Sequence, residues 1–324
     1  MILERSLQLA SCLAVLALAL GGPDAAAQPS RTVKIVVPYP PASGPDILSR
    51  MMADQISRAK GAPTVVIENR PGGGTVIGNE AVARAAPDGN TVLLAAPSFA
   101  ISPALKRGNY DVVKSFEPVC NLAATPMPLV VRADSPYKTL NDLIADAKAK
   151  PGKVIFSSGG PASTLHLAIE VLRRAAGIEI TYVPYPGTAP AINALMGGHV
   201  ATVWADYPTV VSQLKSGTLR GLVTSSAKRV ESMPDVPTLI ETGVVTYTSD
   251  IFYGIVAPAK TPAAELAKLS NWFSAAIKAP DIQPRLAKQG LFPLDQCGAA
   301  FGDFIRNTAA DYARIIREAK ITVK

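Results

Sequence analysis

Short apolar runs and amphipathic stretches alternate along most of this chain. Val33–Val37, Thr64–Ile67 and Thr91–Ala95 are apolar or β-branched runs of strand length. After the first run, Pro45-Asp46 opens a stretch in which Ile47, Leu48, Met51, Met52 and Ile56 share one helical face. Thr75–Ala86 carries a second helical pattern, and Pro87-Asp88-Gly89-Asn90 turns the chain into the third run. The order βαβαβ predicts a parallel sheet with helices on both faces.

The alternation then restarts. Leu129–Val131 reads as a strand, and Thr139 caps a helix that Pro151-Gly152 ends near Lys150. Val154–Phe156, a helix from Ser163 to about Ala176, Ile180–Val183, a helix from Thr188, Val200–Trp204 and Leu219–Thr224 follow. A strand-like run returns at Phe252–Ala257, with helical stretches at Ala263–Ala279 and Phe301–Ala319. Two α/β lobes result: residues 28–126 plus 250–324 form the first and residues 127–249 the second. The chain crosses between them near Thr125–Pro128 and near Tyr247–Gly254.

Four turns rich in small residues separate strand from helix. They are Pro38–Asp46 and Asn69–Gly74 in the first half, and Ser157–Ser163 and Pro184–Pro190 in the second. A small-residue turn at a helix start leaves backbone N–H groups free beside the positive end of the helix dipole. Such a turn is an anion site built from backbone. Four of them in two groups suggest two lobes gripping one small anion.

Composition adds compartment and excludes several partners. The first residues carry Glu4 and Arg5, an apolar segment Leu7–Leu20 and the small-residue site Ala25-Ala26-Ala27. This is the pattern of a signal peptide cleaved near Ala27, and its apolar segment is short for a membrane span. Leu9-Ala10-Ser11-Cys12 resembles a lipoprotein box but precedes most of that segment, which favours the cut after Ala27. The whole chain holds 32 basic and 25 acidic residues, and loss of Glu4, Arg5 and Asp24 leaves 31 and 23, a net charge of +8. The charges are scattered without an interleaved aromatic pattern, so no nucleic-acid footprint appears. Cys120 and Cys297 remain after the cut; a disulfide and two buried free thiols both fit the sequence.

An ordered set of short motifs carries a family likeness. It includes Val36-Val37-Pro38-Tyr39, Asp46, Asn69-Arg70-Pro71-Gly72, Gly78, Pro87-Asp88-Gly89 and Phe116-Glu117-Pro118-Val119. It continues through Pro151-Gly152-Lys153, His166-Leu167, Val183-Pro184-Tyr185 with Gly187, Thr224-Ser225, Lys228-Arg229 and Pro234–Thr238. Glu241, Gly243, Gly254, Ala257-Pro258 and Thr261-Pro262 close it. Together, over about residues 33–318, they resemble the substrate-binding proteins of tripartite tricarboxylate transporters, the Bug family. The resemblance implies a two-lobed, type II-like periplasmic binding protein of α/β class, each lobe a mostly parallel sheet flanked by helices, with two crossings at a hinge. It also implies a small carboxylate in the interlobe cleft and delivery to the transporter's membrane subunits. Three loops depart from the family pattern: Ala42-Ser43-Gly44 with Pro45 replaces a glycine run, Tyr185-Pro186-Gly187 replaces Tyr-Lys-Gly, and Ala162 replaces a glycine. Small size is kept in each loop, while a cationic contact is lost at Pro186.

The candidate ligand contacts follow from the turns and the resemblance together. In the first lobe they are Tyr39, Ser43, Gly44, Asp46, Gly73, Gly74 and Ser98; in the second, Ser158, Gly160, Ser163, His166, Tyr185, Gly187, Thr188 and Asp206. Asp46 equally suits a helix cap, Ser163 can cap and contact ligand at once, and His166 suits bracing of its loop better than contact. Asp206, at a strand's C-terminal end, could touch ligand or bind loop N–H groups. No nucleophile–base spacing, metal-ligand cluster or cofactor motif appears, so catalysis, metal and cofactor are not expected. The reading is a monomeric periplasmic solute-binding protein for an organic or aromatic acid. The alternatives are a secreted hydrolase of small acid derivatives and a ligand-sensing subunit for a membrane kinase.

Overall fold

A computed structural model describes residues 31–160, 163–245 and 248–322. The expected leader, Ala162 in the second-lobe turn and Tyr247 at the second crossing lie outside the described residues. The strands are β1 (Thr32–Val37), β2 (Thr64–Asn69), β3 (Thr91–Ala95), β4 (Phe116–Thr125), β5 (Pro128–Arg132), β6 (Ile155–Ser158), β7 (Thr181–Pro184), β8 (Thr202–Trp204), β9 (Leu219–Thr224), β10 (Ile251–Pro258) and β11 (Phe292–Cys297). The helices are α1 (Gly44–Ser57), α2 (Val76–Ala83), α3 (Ser98–Ala104), α4 (Leu140–Ala149), α5 (Thr164–Ala176), α6 (Thr188–Met196), α7 (Tyr207–Lys215), α8 (Ala263–Lys278), α9 (Gln283–Lys288) and α10 (Ala299–Glu318).

The strands form two sheets, one ordered β11-β4-β10-β3-β1-β2 and the other β7-β6-β8-β5-β9. Side chains alternate across each sheet because successive strand residues point to opposite faces. Val33, Ile35 and Val37 of β1 pack with Leu48, Met52 and Phe273 from α1 and α8, whereas Val36 packs with Val82 and Phe301 from α2 and α10. In the second sheet, Leu129 and Val131 face α4 and α5, and Val130 faces α6 and α7. Both faces of the central strands are therefore covered, and β3 and β5 read as near-continuous apolar runs.

Expected and observed elements differ in instructive ways. The sheets are mixed rather than mostly parallel: β1 pairs parallel with β2 and β3, and β6 with β7 and β8, but β10, β11, β5 and β9 pair antiparallel. β4, β5, β9 and β10 lie on the chain's passages between the sheets, while β11 is added at the edge beside β4. β4 runs out and residues 126–127 join it to β5, while β10 brings the chain back and inserts between β3 and β4. Gly254, read from sequence as the end of a crossing, lies inside β10. A Cβ there would stand 2.2 Å from the Phe301 ring and 3.0 Å from the Cys120 carbonyl, so the glycine lets α10 lie flush on the strand. The second helix begins later than expected, because Gly73–Thr75 forms a 3-10 turn before α2.

Cys120 and Cys297 form a disulfide, which corrects the free-thiol alternative. They are register partners on the antiparallel strands β4 and β11, 177 residues apart in sequence. The lobes also touch away from the crossings. Ala100 and Ile101 of α3, Leu167 of α5, and Tyr312, Ile315 and Ile316 of α10 make one buried apolar cluster.

Candidate functional site

The helix starts that follow β1, β3 and β6 converge on one cavity of about 390 Å³. The first lobe supplies Tyr39, Pro45, Gly74, Thr75, Ser98 and Arg107, among others. The second lobe supplies Ser163, Thr164 and Leu165. Tyr253 and Ile251 of β10 also line it. Among the described residues the lining contains hydroxyls, aliphatic side chains and one cation, and no acidic residue.

Local chemistry explains the first-lobe wall. The chain from Gly72 to Thr75 has positive φ at four consecutive residues: 126°, 61°, 65° and 78°. Glycine adopts that region freely, whereas a β-branched residue does so at a cost of order 1–3 kcal/mol. Thr75 is held there by its hydroxyl, which donates to Ser98 Oγ at 3.2 Å and accepts from Asn79 Nδ2 at 3.2 Å. Tyr39 and Ser98 hydroxyls lie 2.6 Å apart, and Asn79 Nδ2 also donates to Tyr110 at 2.8 Å. A chain of side-chain hydrogen bonds thus ties the β1, β2 and β3 turns together. Burial pushes the Tyr39 phenol up to about 12, against a smaller opposing effect of the Ser98 contact.

Asp46 is buried at the start of α1 and is fully engaged within its own lobe. Its carboxylate accepts from Ala42 N at 2.8 Å, Arg50 Nε at 2.9 Å and Asn69 Nδ2 at 2.9 Å. Burial alone would raise its pKa; the hydrogen bonds from Arg50, Asn69 and Ala42, with the Arg50 charge, outweigh this and hold the carboxyl below its ordinary value. Asp46 therefore braces the first turn. Ser43 donates to Pro40 O at 2.7 Å, and a Cβ on Gly44 would stand 3.6 Å from the Tyr253 hydroxyl. The turn thus lies against the cavity wall.

The second-lobe turn is organised around one carbonyl. Gly160 O accepts from Ser163 Oγ at 2.8 Å, Tyr182 OH at 2.9 Å and, at longer range, Ser158 Oγ. Ser163 also caps α5 by accepting from His166 N at 3.2 Å. His166 stacks on Tyr182 with ring centroids 4.1 Å apart, and the two planes differ by 6°. Burial lowers its pKa, Glu170 partly opposes this, and Arg173 adds to it. A neutral imidazole therefore braces the loop through Tyr182. Sequence reading did not single out Tyr182, because its place in the loop depends on the β6–β7 pairing.

Thr188 and Asp206 form a further brace. Asp206 accepts from the hydroxyls of Thr188 and Thr209, rather than from loop N–H groups. Gly159 lets this pair come close: a Cβ there would meet Thr188 N at 2.7 Å and Gly187 C at 3.0 Å. Burial raises the Tyr253 phenol strongly, with smaller additions from the Asp206 and Tyr39 charges. Of the sequence candidates, Tyr39, Gly74, Ser98 and Ser163 line the cavity. Ser43, Gly44, Asp46 and Gly73 lie in its first-lobe turns. Ser158, Gly160, His166, Tyr185, Gly187, Thr188 and Asp206 lie in or beneath the second-lobe loops. Arg107, Thr75, Thr164 and Tyr253 line the cavity without having been singled out, since each reaches it through tertiary packing.

Two mixed α/β sheets joined by paired crossings, with helix starts from both lobes around one cavity, define a two-lobed periplasmic binding protein fold. The family described as tripartite tricarboxylate transporter family receptor matches residues 48–321, and this chain belongs to it. Protein BugT of Bordetella pertussis is 31% identical over 299 residues, covering 91% of each chain. The structure of R. palustris Rpa4515 with adipate shares 29% identity at a TM-score of 0.76, covering 91% of this chain and 99% of that one. MatC from Rhodopseudomonas palustris with bound malate shares 27% identity at a TM-score of 0.74, covering 89% and 99%. Among the described residues no helix is long and apolar enough to cross a membrane.

Proposed function

We propose that this protein captures a small organic acid in the interlobe cavity and delivers it to the membrane subunits of a tripartite tricarboxylate transporter. It acts in the periplasm as a monomer after loss of residues 1–27, without a cofactor and without catalysis. Residues 28–126 with 250–324 make one lobe and residues 127–249 the other. The carrying observation is the cavity walled by both lobes, with one cation and no acid among the described residues of its lining. Malate in MatC and adipate in Rpa4515 support a carboxylate as the ligand class.

The inner carboxylate meets backbone N–H groups at the starts of α1 and α5, where helix dipoles favour negative charge. Ser43, Gly44, Gly73, Gly74, Ser98 and Ser163 stand nearest that group, while Asp46, His166, Tyr182, Thr188 and Asp206 hold the loops in place. A thermal-shift screen of mono- and dicarboxylic acids tests the reading, since a ligand that binds only the folded state raises the melting temperature. At least one acid should do so in a saturable manner. A flat response across the whole panel would refute carboxylate capture.

A further inference from the structure

We propose that the Tyr253 hydroxyl donates directly to the carboxylate of the bound acid, in the place of the backbone N–H that Pro45 lacks. The proposal rests on the carboxylate-capture reading. It adds a side-chain donor on β10 beside a helix start that is one donor short.

The other hydroxyls that line the cavity are already engaged. Those of Tyr39 and Ser98 lie 2.6 Å apart, and Thr75 Oγ1 donates to Ser98 Oγ at 3.2 Å. Ser102 Oγ donates to Gly74 O at 3.0 Å, Ser163 Oγ donates to Gly160 O at 2.8 Å, and Thr164 bonds Tyr312. The Tyr253 hydroxyl has no hydrogen-bond partner among the described residues, although the residue is only 8% exposed. Its ring belongs to the core cluster of Val37 and Leu48, on the same face of β10 as Ile251, which also lines the cavity. A ring held in the core presents its hydroxyl at a fixed point. That point is the start of α1, where a Cβ on Gly44 would stand 3.6 Å from Tyr253 Oη.

The α1 start is short of donors. Ala42 N donates to the Asp46 carboxylate, Ser43 N to Pro40 O and Ile47 N to Ser43 O. Pro45, in the first turn, has no N–H at all, which leaves the N–H groups of Gly44 and Asp46 for an anion. Burial raises the Tyr253 phenol well above its ordinary value, so it stays protonated and neutral, a donor that needs no counter-charge. A buried hydroxyl without a partner is costly, and a hydrogen bond to a charged acceptor is stronger than one between neutral groups. The carboxylate that enters therefore gains a strong bond, and the empty cavity gives up none.

The test measures binding of adipate, malate and hexanoate by calorimetry to wild type, Tyr253→Phe and the double variant Tyr253→Phe with Pro45→Ala. Unliganded melting temperatures are taken alongside, with Tyr39→Phe for comparison. Each acid that binds wild type should bind Tyr253→Phe about tenfold more weakly, whatever its chain. Pro45→Ala restores the missing N–H and should win back a few-fold of that loss. Without ligand, Tyr253→Phe should melt at or above wild type, whereas Tyr39→Phe, which loses the Ser98 contact, should melt lower. Unchanged affinity in Tyr253→Phe, or a loss that Pro45→Ala does not reduce, would overturn the proposal. So would a fall in the melting temperature of Tyr253→Phe as large as that of Tyr39→Phe, because the hydroxyl would then have a partner inside the fold. Failure of all three acids to bind wild type would instead refute carboxylate capture itself, and the melting comparison would still decide whether the hydroxyl is free.

Discussion

Gly159 has no room for a side chain. The atoms a Cβ would strike include the backbone of Thr188 and Gly187, which cannot swing aside as a side-chain tip would. Gly159→Ala should therefore separate the two second-lobe loops, costing about 1–3 kcal/mol of stability. Ligand affinity should fall as well. Denaturant unfolding and calorimetry on one preparation measure both, and a variant with wild-type values for each would show that the loops need not touch. Asp250 offers a pH test. It lines a separate cavity of about 220 Å³ at the second crossing, and burial pushes its carboxyl up to about 6, partly offset by the Ser226 hydroxyl. Because the folded-state value is raised, the folded protein retains a proton that the unfolded chain has released. Its stabilising contribution is present at acid pH and is lost as pH rises from about 4 to about 6. Asp250→Asn should match wild type near pH 4 and exceed it at pH 7 by roughly 2 kcal/mol. A constant gap in melting temperature across that range would contradict this. At this scale the small-residue turns were legible in the sequence because glycine and serine declare a local backbone need. Arg107, Tyr182 and Thr209 were not, because their partners lie on other elements and nothing local marks them.

Among the elements, the strands with β-branched runs and the capped helices were legible. Thr139 and Asp142 form a reciprocal capping box at α4, and Ser163 caps α5. The elements missed have weak local signals. β4 carries Pro118, Asn121 and two alanines at its end, yet it lies second in its sheet because β10 and β11 pair with it on either side. β11 is short and polar, α3 contains Pro103, and α7 opens Tyr207-Pro208-Thr209-Val210-Val211, which suits a strand as well as a helix. The disulfide fastens the weak edge strand to β4. Cys297→Ser should lower stability by about 2–4 kcal/mol. Wild type under a strong reductant should move to the same denaturation midpoint, and an unchanged midpoint in both cases would mean that pairing of β11 does not depend on the bond.

At the scale of the whole molecule, the second lobe contributes only part of the cavity wall, so affinity should depend on how closely the lobes approach. A ligand touching both favours the closed form only by its differential affinity for it. Micromolar binding corresponds to about 8 kcal/mol, of which the second-lobe contacts should supply a few. Small-angle scattering should show a smaller radius of gyration at saturation with the tightest acid from the screen. Unchanged dimensions would mean that the lobes already stand at their bound separation, as the apolar cluster of α3, Leu167 and α10 would permit.

The place of β10 has a consequence for how the chain is made. The second sheet is drawn from one continuous stretch, residues 128–224, and can assemble once that stretch exists. The first sheet cannot, because β10 separates β3 from β4 and is synthesised more than a hundred residues after both. Until then, β3 and β4 each present an open edge able to pair with another chain. Vectorial folding should thus run against sequence order, with the second lobe gaining structure first. Pulse-labelled hydrogen exchange during refolding should find amides of β5, β6 and β8 protected before those of β3 and β4. Simultaneous protection would indicate that the two lobes nucleate as one unit.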